Sequence, residues 1–286
     1  MVENVVDRSS SSVFEFTDAD FQSVRHLVKK NTGISLSEAK RDMVYSRLVR
    51  RLRELNIQRF SDYLALIGSD GADDELIQFT NAITTNLTSF FRENHHFEYL
   101  AETLLPELMK KKAAERKIRI WCCAASTGEE PYSIAMVVNE VIARNSGWDV
   151  KILATDLDTN VLATAEKGVY SIDRVKDISD RRQRRFFLKG SGSHQGYVQV
   201  RPELRQLITY KKLNLMDEWP MSGPIDIIFC RNVVIYFNKE TQRVLLERFA
   251  QLVAPEAHLF MGHSESLSNV SDQFQLLGKT IYRFSA

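Results

Sequence analysis

Ile118-Arg-Ile-Trp-Cys-Cys-Ala-Ala-Ser-Thr-Gly-Glu-Glu-Pro-Tyr-Ser-Ile-Ala, residues 118–135, decides how the rest of the chain is read. Ile118–Ala124 is a short apolar run without polar alternation, the pattern of a strand buried on both faces. Ala125-Ser-Thr-Gly is a turn of small residues, and a helix is expected from about Glu129 to Arg144. Val150-Lys-Ile-Leu-Ala-Thr-Asp reads as a second strand, and Asn160–Lys167 as a helix. Further on come Ile225–Cys230 (strand), Glu240–Leu252 (helix) and His258–Gly262 (strand). Phe274–Phe284, broken at Gly278-Lys279, closes as a hairpin. Strands alternating with helices imply an α/β fold, a doubly wound, mostly parallel sheet covered on both faces.

Outside this region the periodicity changes. Residues 1–13, with a serine run, read as a disordered tail. Residues 14–85 read as a small N-terminal all-helical domain. Thr17 is expected to cap its first helix and Ser37 its second, with a third opening at Ser61 and a fourth spanning Asp74–Asn86. Residues 86–100 are taken as an interdomain segment and 101–286 as a second, sheet-bearing domain. Residues 168–213 interrupt the alternation with an arginine-rich helix, a Gly-rich stretch and strand-like runs at Tyr197–Val200 and Leu207–Leu213. They read as a small antiparallel β insert that leaves a free sheet edge.

The 286 residues are 44% hydrophobic and 26% charged, an ordinary globular composition, and the net charge of +1 offers no bulk attraction to nucleic acid. Three cysteines without a CxxC pair argue against a disulfide framework or a zinc site. The absence of a signal-peptide core and of any run of about 20 apolar residues leads to the expectation of a cytoplasmic protein without direct membrane insertion.

In an open parallel sheet the ligand lies at the carboxyl ends of the strands. Two features stand there, the turn Ala124–Pro131, whose small side chains let backbone amides approach a ligand, and Asp156, whose carboxylate could accept both hydroxyls of a ribose. Asp156 could instead cap the following helix, as Asp158 and Thr159 also could. The turn lacks the glycines of a pyrophosphate cradle. That argues against a dinucleotide and for a nucleoside cofactor without phosphates, of which S-adenosylmethionine is the obvious one; no metal is expected.

Four separated segments, in this order, carry a resemblance. They are Thr84-Thr-Asn-Leu-Thr-Ser-Phe-Phe-Arg-Glu, Ala124-Ala-Ser-Thr-Gly-Glu-Glu-Pro-Tyr-Ser, Phe229-Cys-Arg-Asn-Val-Val-Ile-Tyr-Phe and Gly262-His-Ser-Glu. Together they resemble the chemotaxis receptor methyltransferase family, CheR, over about residues 15–284. The resemblance implies a sheet of the S-adenosylmethionine-dependent methyltransferase type. It implies transfer of methyl groups to glutamate carboxylates on the cytoplasmic methylation helices of chemotaxis receptors, by an enzyme recruited to membrane-bound receptor arrays. By the same resemblance Asn86, Thr88, Arg92, Glu130, Asp156, Asn214, Leu215, Arg231 and Asn232 bind the cofactor, and Arg92 and Tyr236 serve catalysis. The segment around Asn86–Arg92 closes over the cofactor.

Methyl transfer to a carboxylate needs alignment and desolvation, and no general base, because the nucleophile is already an anion at neutral pH. The lack of a clear catalytic His or Cys is therefore expected; His95 and His96 read as solvated or packed, and Cys122 and Cys123 as strand packing. At about 100° per residue, Lys40, Arg47 and Arg51 fall within roughly 40° of one another on the second helix, with Arg50 near. This face reads either as solvated or as the surface that docks on acidic receptor helices. The insert reads either as a brace or as a dock for a receptor's C-terminal peptide, which some members of the family bind there. Competing readings are a methyltransferase for another substrate, though no base-flipping pocket is evident, and a non-catalytic S-adenosylmethionine-sensing module that binds receptors.

Overall fold

The structure is a computed structural model that describes residues 14–142, 146–268 and 270–285. The tail expected over residues 1–13 and the expected helix end at Arg144 fall outside the described residues. The chain divides into two compact units, one of residues 1–31 and 36–83, the other of residues 32–35 and 84–286.

The first unit is all-helical, with helices Asp18–Thr32, Arg41–Glu54, Phe60–Ile67 and Asp73–Ile83. Its first helix starts at a reciprocal cap: the Asp20 amide donates to Thr17 Oγ1 at 3.1 Å and the Thr17 amide to Asp20 Oδ2 at 2.9 Å. Ser37 makes no side-chain cap; a 3-10 turn, Glu38–Lys40, leads into the second helix. The fourth helix ends at Ile83, three residues before its expected end, because Thr84 and Asn86 turn to donate to Asp158. Phe21, Val24, Val44, Leu48, Leu52, Phe60, Tyr63 and Phe79 form the core, buried at three- and four-residue spacing along their helices.

Among its described residues the second unit holds ten strands: β1 Lys117–Cys123, β2 Asp149–Asp156, β3 Val169–Ser171, β4 Phe187–Lys189, β5 Tyr197–Val200, β6 Ile208–Lys212, β7 Ile225–Cys230, β8 Val253–Met261, β9 Phe274–Gly278 and β10 Ile281–Phe284. Seven form one sheet in the order β6-β2-β1-β7-β8-β10-β9. All neighbours are parallel as far as β8, and β10 runs antiparallel to both β8 and β9. β1 is the topological switch: the chain leaves it to build β2 on one side and returns to place β7 on the other. Its side chains alternate between two cores, Ile118, Ile120 and Cys122 in one and Trp121 and Cys123 in the other. The Trp121 indole donates to Thr155 Oγ1 at 2.9 Å, which satisfies its buried polar edge. Helix Glu129–Val141 packs in the first core and Lys239–Leu252 in the second.

The insert is antiparallel, but its composition differs from expectation. Its sheet is β3-β5-β4, and Leu207–Leu213 is not part of it. That run supplies β6, which pairs in parallel with β2 from Ile152↔Ile208 to Asp156↔Lys212. The sequence shows only that the run is strand-forming; the chain enters it from the Pro202–Arg205 turn of helix and pairs it with β2 in the main sheet. All three cysteines are buried free thiols. Among the described residues no helix is long and apolar enough to cross a membrane.

Gly128 fixes the turn after β1. Its φ is +99°, and a Cβ there would lie 2.8 Å from both Ala165 Cβ and the Tyr170 hydroxyl oxygen. Gly128→Ala is expected to destabilise the chain by about 2 kcal/mol through backbone strain and overpacking, read as a lower urea midpoint at unchanged m-value.

Candidate active site

The carboxyl ends of β1, β2 and β7 border a cleft enclosing about 980 Å³, part of it open to solvent. All ten residues expected to serve cofactor binding or catalysis line it: Asn86, Thr88, Arg92, Glu130, Asp156, Asn214, Leu215, Arg231, Asn232 and Tyr236. Ala124 and Ser126, from the turn expected to approach the ligand, line it as well, as do Thr84, Leu157 and Phe237, to which no role was assigned.

Each strand end contributes differently. After β1 the backbone passes through left-handed conformations at Ala124, Ser126 and Gly128, so a tight turn of small residues faces the cleft. The Ser126 amide donates to Asp156 Oδ2 at 2.8 Å and the Asp158 amide to Asp156 Oδ1 at 2.9 Å. Asp156 is 7% exposed, and burial pushes its carboxyl up to about 6 despite those two amides. The capping role left open for Asp156 belongs to Asp158. Asp158 Oδ1 accepts the amide of Asn160 at 2.8 Å at the start of helix Thr159–Lys167. Its Oδ2 accepts from Asn86 Nδ2 at 2.7 Å. Asn86 therefore lines the cleft while its amide nitrogen anchors the Thr84–Arg92 segment to the end of β2.

Arg231, at the end of β7, has 1% of its side chain exposed. Its guanidinium pairs with Glu130 at 2.5 Å and with Glu93 at 3.2 Å, and donates to the main-chain carbonyl of Arg92 at 2.6 Å. Burial opposes the Arg231 charge, but the two carboxylates outweigh it and raise its pKa. Burial likewise opposes the Glu93 charge, but Arg231 and His263 hold that carboxyl down to about 2. Arg231 thus reaches the cleft wall as a brace between three segments. Arg92 itself is half-buried, with Nη1 donating to the Leu87 carbonyl at 3.0 Å. The Asn214 side chain forms a local turn, accepting the Met216 amide and donating to Asp217, both at 3.1 Å, and Leu215 is packed in the second core.

Glu93 and His263 had no assigned role, and the sequence spacing of 170 residues hides that His263 Nδ1 lies 3.1 Å from Glu93 Oε1. His96 is fully buried, and burial and Arg231 push it down to about 4, so it is neutral at physiological pH. Glu93, His95 and His96 offer ligand atoms within 4.8 Å of one another. The Arg231 guanidinium supplies the positive charge beside Glu93, and the ring Nε2 atoms of His95 and His96 lie 3.3 and 2.9 Å from the Lys279 carbonyl oxygen.

In the helical unit, the basic face divides. Arg47 Nη1 donates to the Ile83 carbonyl at 2.8 Å, closing the C-terminus of the fourth helix. Arg51 grips Glu75 with two nitrogens, at 2.8 and 2.5 Å, and Tyr63 donates to the same carboxylate at 2.7 Å. Lys40 and Arg50 are exposed.

A seven-stranded sheet of this order, with a small-residue turn after β1, a carboxylate ending β2 and a cleft at the switch point, defines an S-adenosylmethionine-dependent methyltransferase. Residues 86–283 match the CheR methyltransferase, SAM binding domain, and residues 19–84 the CheR methyltransferase, all-alpha domain. The chain is 46% identical over 267 residues to a chemotaxis protein methyltransferase of Klebsiella aerogenes, covering 93% of this chain and 89% of that one. It is 45% identical over 270 residues to chemotaxis protein methyltransferase 2 of Pseudomonas aeruginosa, covering 94% of each. To the chemotaxis protein methyltransferase of Escherichia coli it is 44% identical over 271 residues, covering 94% of this chain and 92% of that one. The chain belongs to the CheR methyltransferase family.

A carboxylate must be ionised to accept two hydroxyls, and burial pushes the Asp156 carboxyl up to about 6. Affinity for S-adenosylhomocysteine is therefore expected to weaken as pH falls through 6, because protonation turns one acceptor oxygen into a donor. Titration calorimetry between pH 5 and 8 checks this. Asp156→Ala should bind about ten- to a hundredfold more weakly and lose the pH slope.

Proposed function

We propose that the chain transfers methyl groups from S-adenosylmethionine to glutamate side chains on the methylation helices of chemotaxis receptors, with Arg92 and Tyr236 orienting the accepting carboxylate. The observation that carries this is the convergence of Arg92, Tyr236 and Asp156, from three separate segments, on one cleft. Bound S-adenosylmethionine supplies a methyl group on a sulfonium. The chain's own residues bind, orient and exclude water, and the substrate arrives as an anion. Arg92 can turn its guanidinium from the Leu87 carbonyl to one carboxylate oxygen and leave the other to attack. A stronger grip would favour the ground state and slow transfer. The nucleoside fits the buried carboxylate and the amide-rich turn, since neither cradles phosphate.

Arg92→Ala is expected to lower the single-turnover rate at saturating cofactor at least tenfold and to change S-adenosylhomocysteine affinity far less. Near-normal turnover on receptor cytoplasmic fragments would remove Arg92 from the mechanism. Base-labile methyl incorporation into those fragments separates glutamyl esters from other products.

Two receptor contacts complete the proposal, and both place a cytoplasmic enzyme at receptor arrays. Lys40 and Arg50 are exposed and offer positive charge to acidic helices, Arg50 from a solvent-facing pair with Glu54 at 3.4 Å, whereas Arg47 and Arg51 hold the helical unit together. Lys40→Glu with Arg50→Glu is expected to raise the receptor concentration needed for methylation and flatten its salt dependence, at unchanged melting temperature. Arg51→Glu should instead lower the melting temperature, because it places a third carboxylate beside Glu75 and Glu54.

The second contact is the β3-β5-β4 sheet, where a groove is lined by Val169, Leu188, Gly190, His194 and Tyr197. Val169, Leu188 and Tyr197 are 40%, 40% and 51% exposed, an apolar surface suited to an extended C-terminal receptor peptide. Calorimetry against the C-terminal peptides of the cognate receptors is expected to give micromolar binding to some of them. Silence across the set would leave the insert as a brace.

A further inference from the structure

The loop after β7 carries Asn232 and Tyr236 into the cleft, yet its only regular structure is the 3-10 turn Val234–Tyr236. What shapes it is a carboxylate from a different segment. Glu265 is 3% exposed. Its Oε2 accepts the Asn232 amide at 2.8 Å and the Gly262 amide at 2.6 Å, and its Oε1 accepts the Ile235 amide at 3.2 Å. Asn232 sits at φ +58°, a conformation costly for a residue with a side chain. Gly262 lies hard against it: a Cβ there would be 2.4 Å from Asn232 Nδ2 and 2.8 Å from Glu265 Oε2. Carboxylate, loop and glycine therefore form one close-packed unit.

This arrangement is expensive as a means of holding the fold alone. A buried carboxylate gives up its hydration, and burial raises the Glu265 pKa even against the amides that favour the charged form. An apolar side chain would fill the same space more cheaply, but it could not gather three amides that point at one centre. The three bonds converge on an acceptor of fixed geometry, which sets backbone direction at Asn232 and Ile235 together.

We propose that Glu265 is a positioning residue for methyl transfer, whose carboxylate holds the Asn232–Tyr236 loop so that both side chains face the cleft. The proposal rests on the reading of Asn232 as a cofactor contact and Tyr236 as a substrate contact.

The test uses the full chain with Glu265→Gln, Gly262→Ala, their double variant, Tyr236→Phe and Asn232→Ala. Readouts are the single-turnover rate at saturating cofactor, S-adenosylhomocysteine affinity by calorimetry, and the melting temperature. Glu265→Gln turns a donor toward at least one of the amides and is expected to slow turnover on the order of ten- to a hundredfold, as a misplacement near 1 Å does. Cofactor affinity should weaken severalfold. Gly262→Ala presses on the same clamp without altering the carboxylate and should act in the same sense, with the double variant no worse than the poorer single. If Glu265→Gln melts early but binds and turns over as wild type where it is folded, the carboxylate is only structural and the proposal fails. If that variant does not fold, Gly262→Ala decides by the same readouts. Silence of Tyr236→Phe and Asn232→Ala would overturn the site reading and the proposal with it. Losses in those two beside normal Glu265→Gln and Gly262→Ala would overturn the proposal alone.

Discussion

Arg231 carries a full positive charge into the carboxyl end of the sheet with almost none of its side chain in solvent, and the site is arranged around that fact. A lone buried guanidinium would be prohibitively costly, so the surroundings must supply negative partners in fixed places. Glu130 comes from the first turn of the helix after β1, Glu93 and the Arg92 carbonyl from the segment that follows Ile83. Three stretches distant in sequence are thereby joined at the end of β7. Removing either carboxylate would leave a partly uncompensated charge, at a cost on the order of 3–5 kcal/mol. The same contact places the Arg92 backbone, and so decides from which wall its side chain enters the cleft.

The other charges at the site follow a different pattern. Asp156 and Glu265 are held by backbone amides, and Asp158 by amides on one oxygen and the Thr84 and Asn86 side chains on the other. Amides at the ends of strands and the starts of helices have no partners within those elements, so buried carboxylates satisfy them and gain orientation in return. Because amides carry only partial charge, burial wins, and the carboxyls of Asp156 and Glu265 are raised. Glu93, which faces a whole charge, is lowered. A transfer to a carboxylate needs no proton acceptor from such a site, because the nucleophile is already an anion at neutral pH.

The α/β pattern was legible because buried parallel strands must be apolar on both faces, which sets Ile118–Cys123 and Ile225–Cys230 apart from everything around them. Leu207–Leu213 was legible as a strand and illegible as to partner. Pairing depends on where the chain is delivered in space, here from the Pro202–Arg205 turn of helix to the edge of β2, and local composition does not carry that. The Asp156–Asp158 pair shows the same division. Either could cap a helix by composition, and only the backbone path shows that Asp158 does so, leaving Asp156 to face the cleft.

The sequence by itself determined the class of fold, the strand ends where chemistry would sit and, through four separated motifs, the family. These depend on local composition and on residue identities at given spacings, which the linear chain carries in full. Tertiary structure alone decided what each charged residue does. Arg231 braces instead of standing free, Arg51 locks onto Glu75 and Tyr63, and His263 meets Glu93 across 170 positions. The reason is physical: an ion pair depends on distance in space and on how much water is removed, and neither quantity is written in the order of the residues.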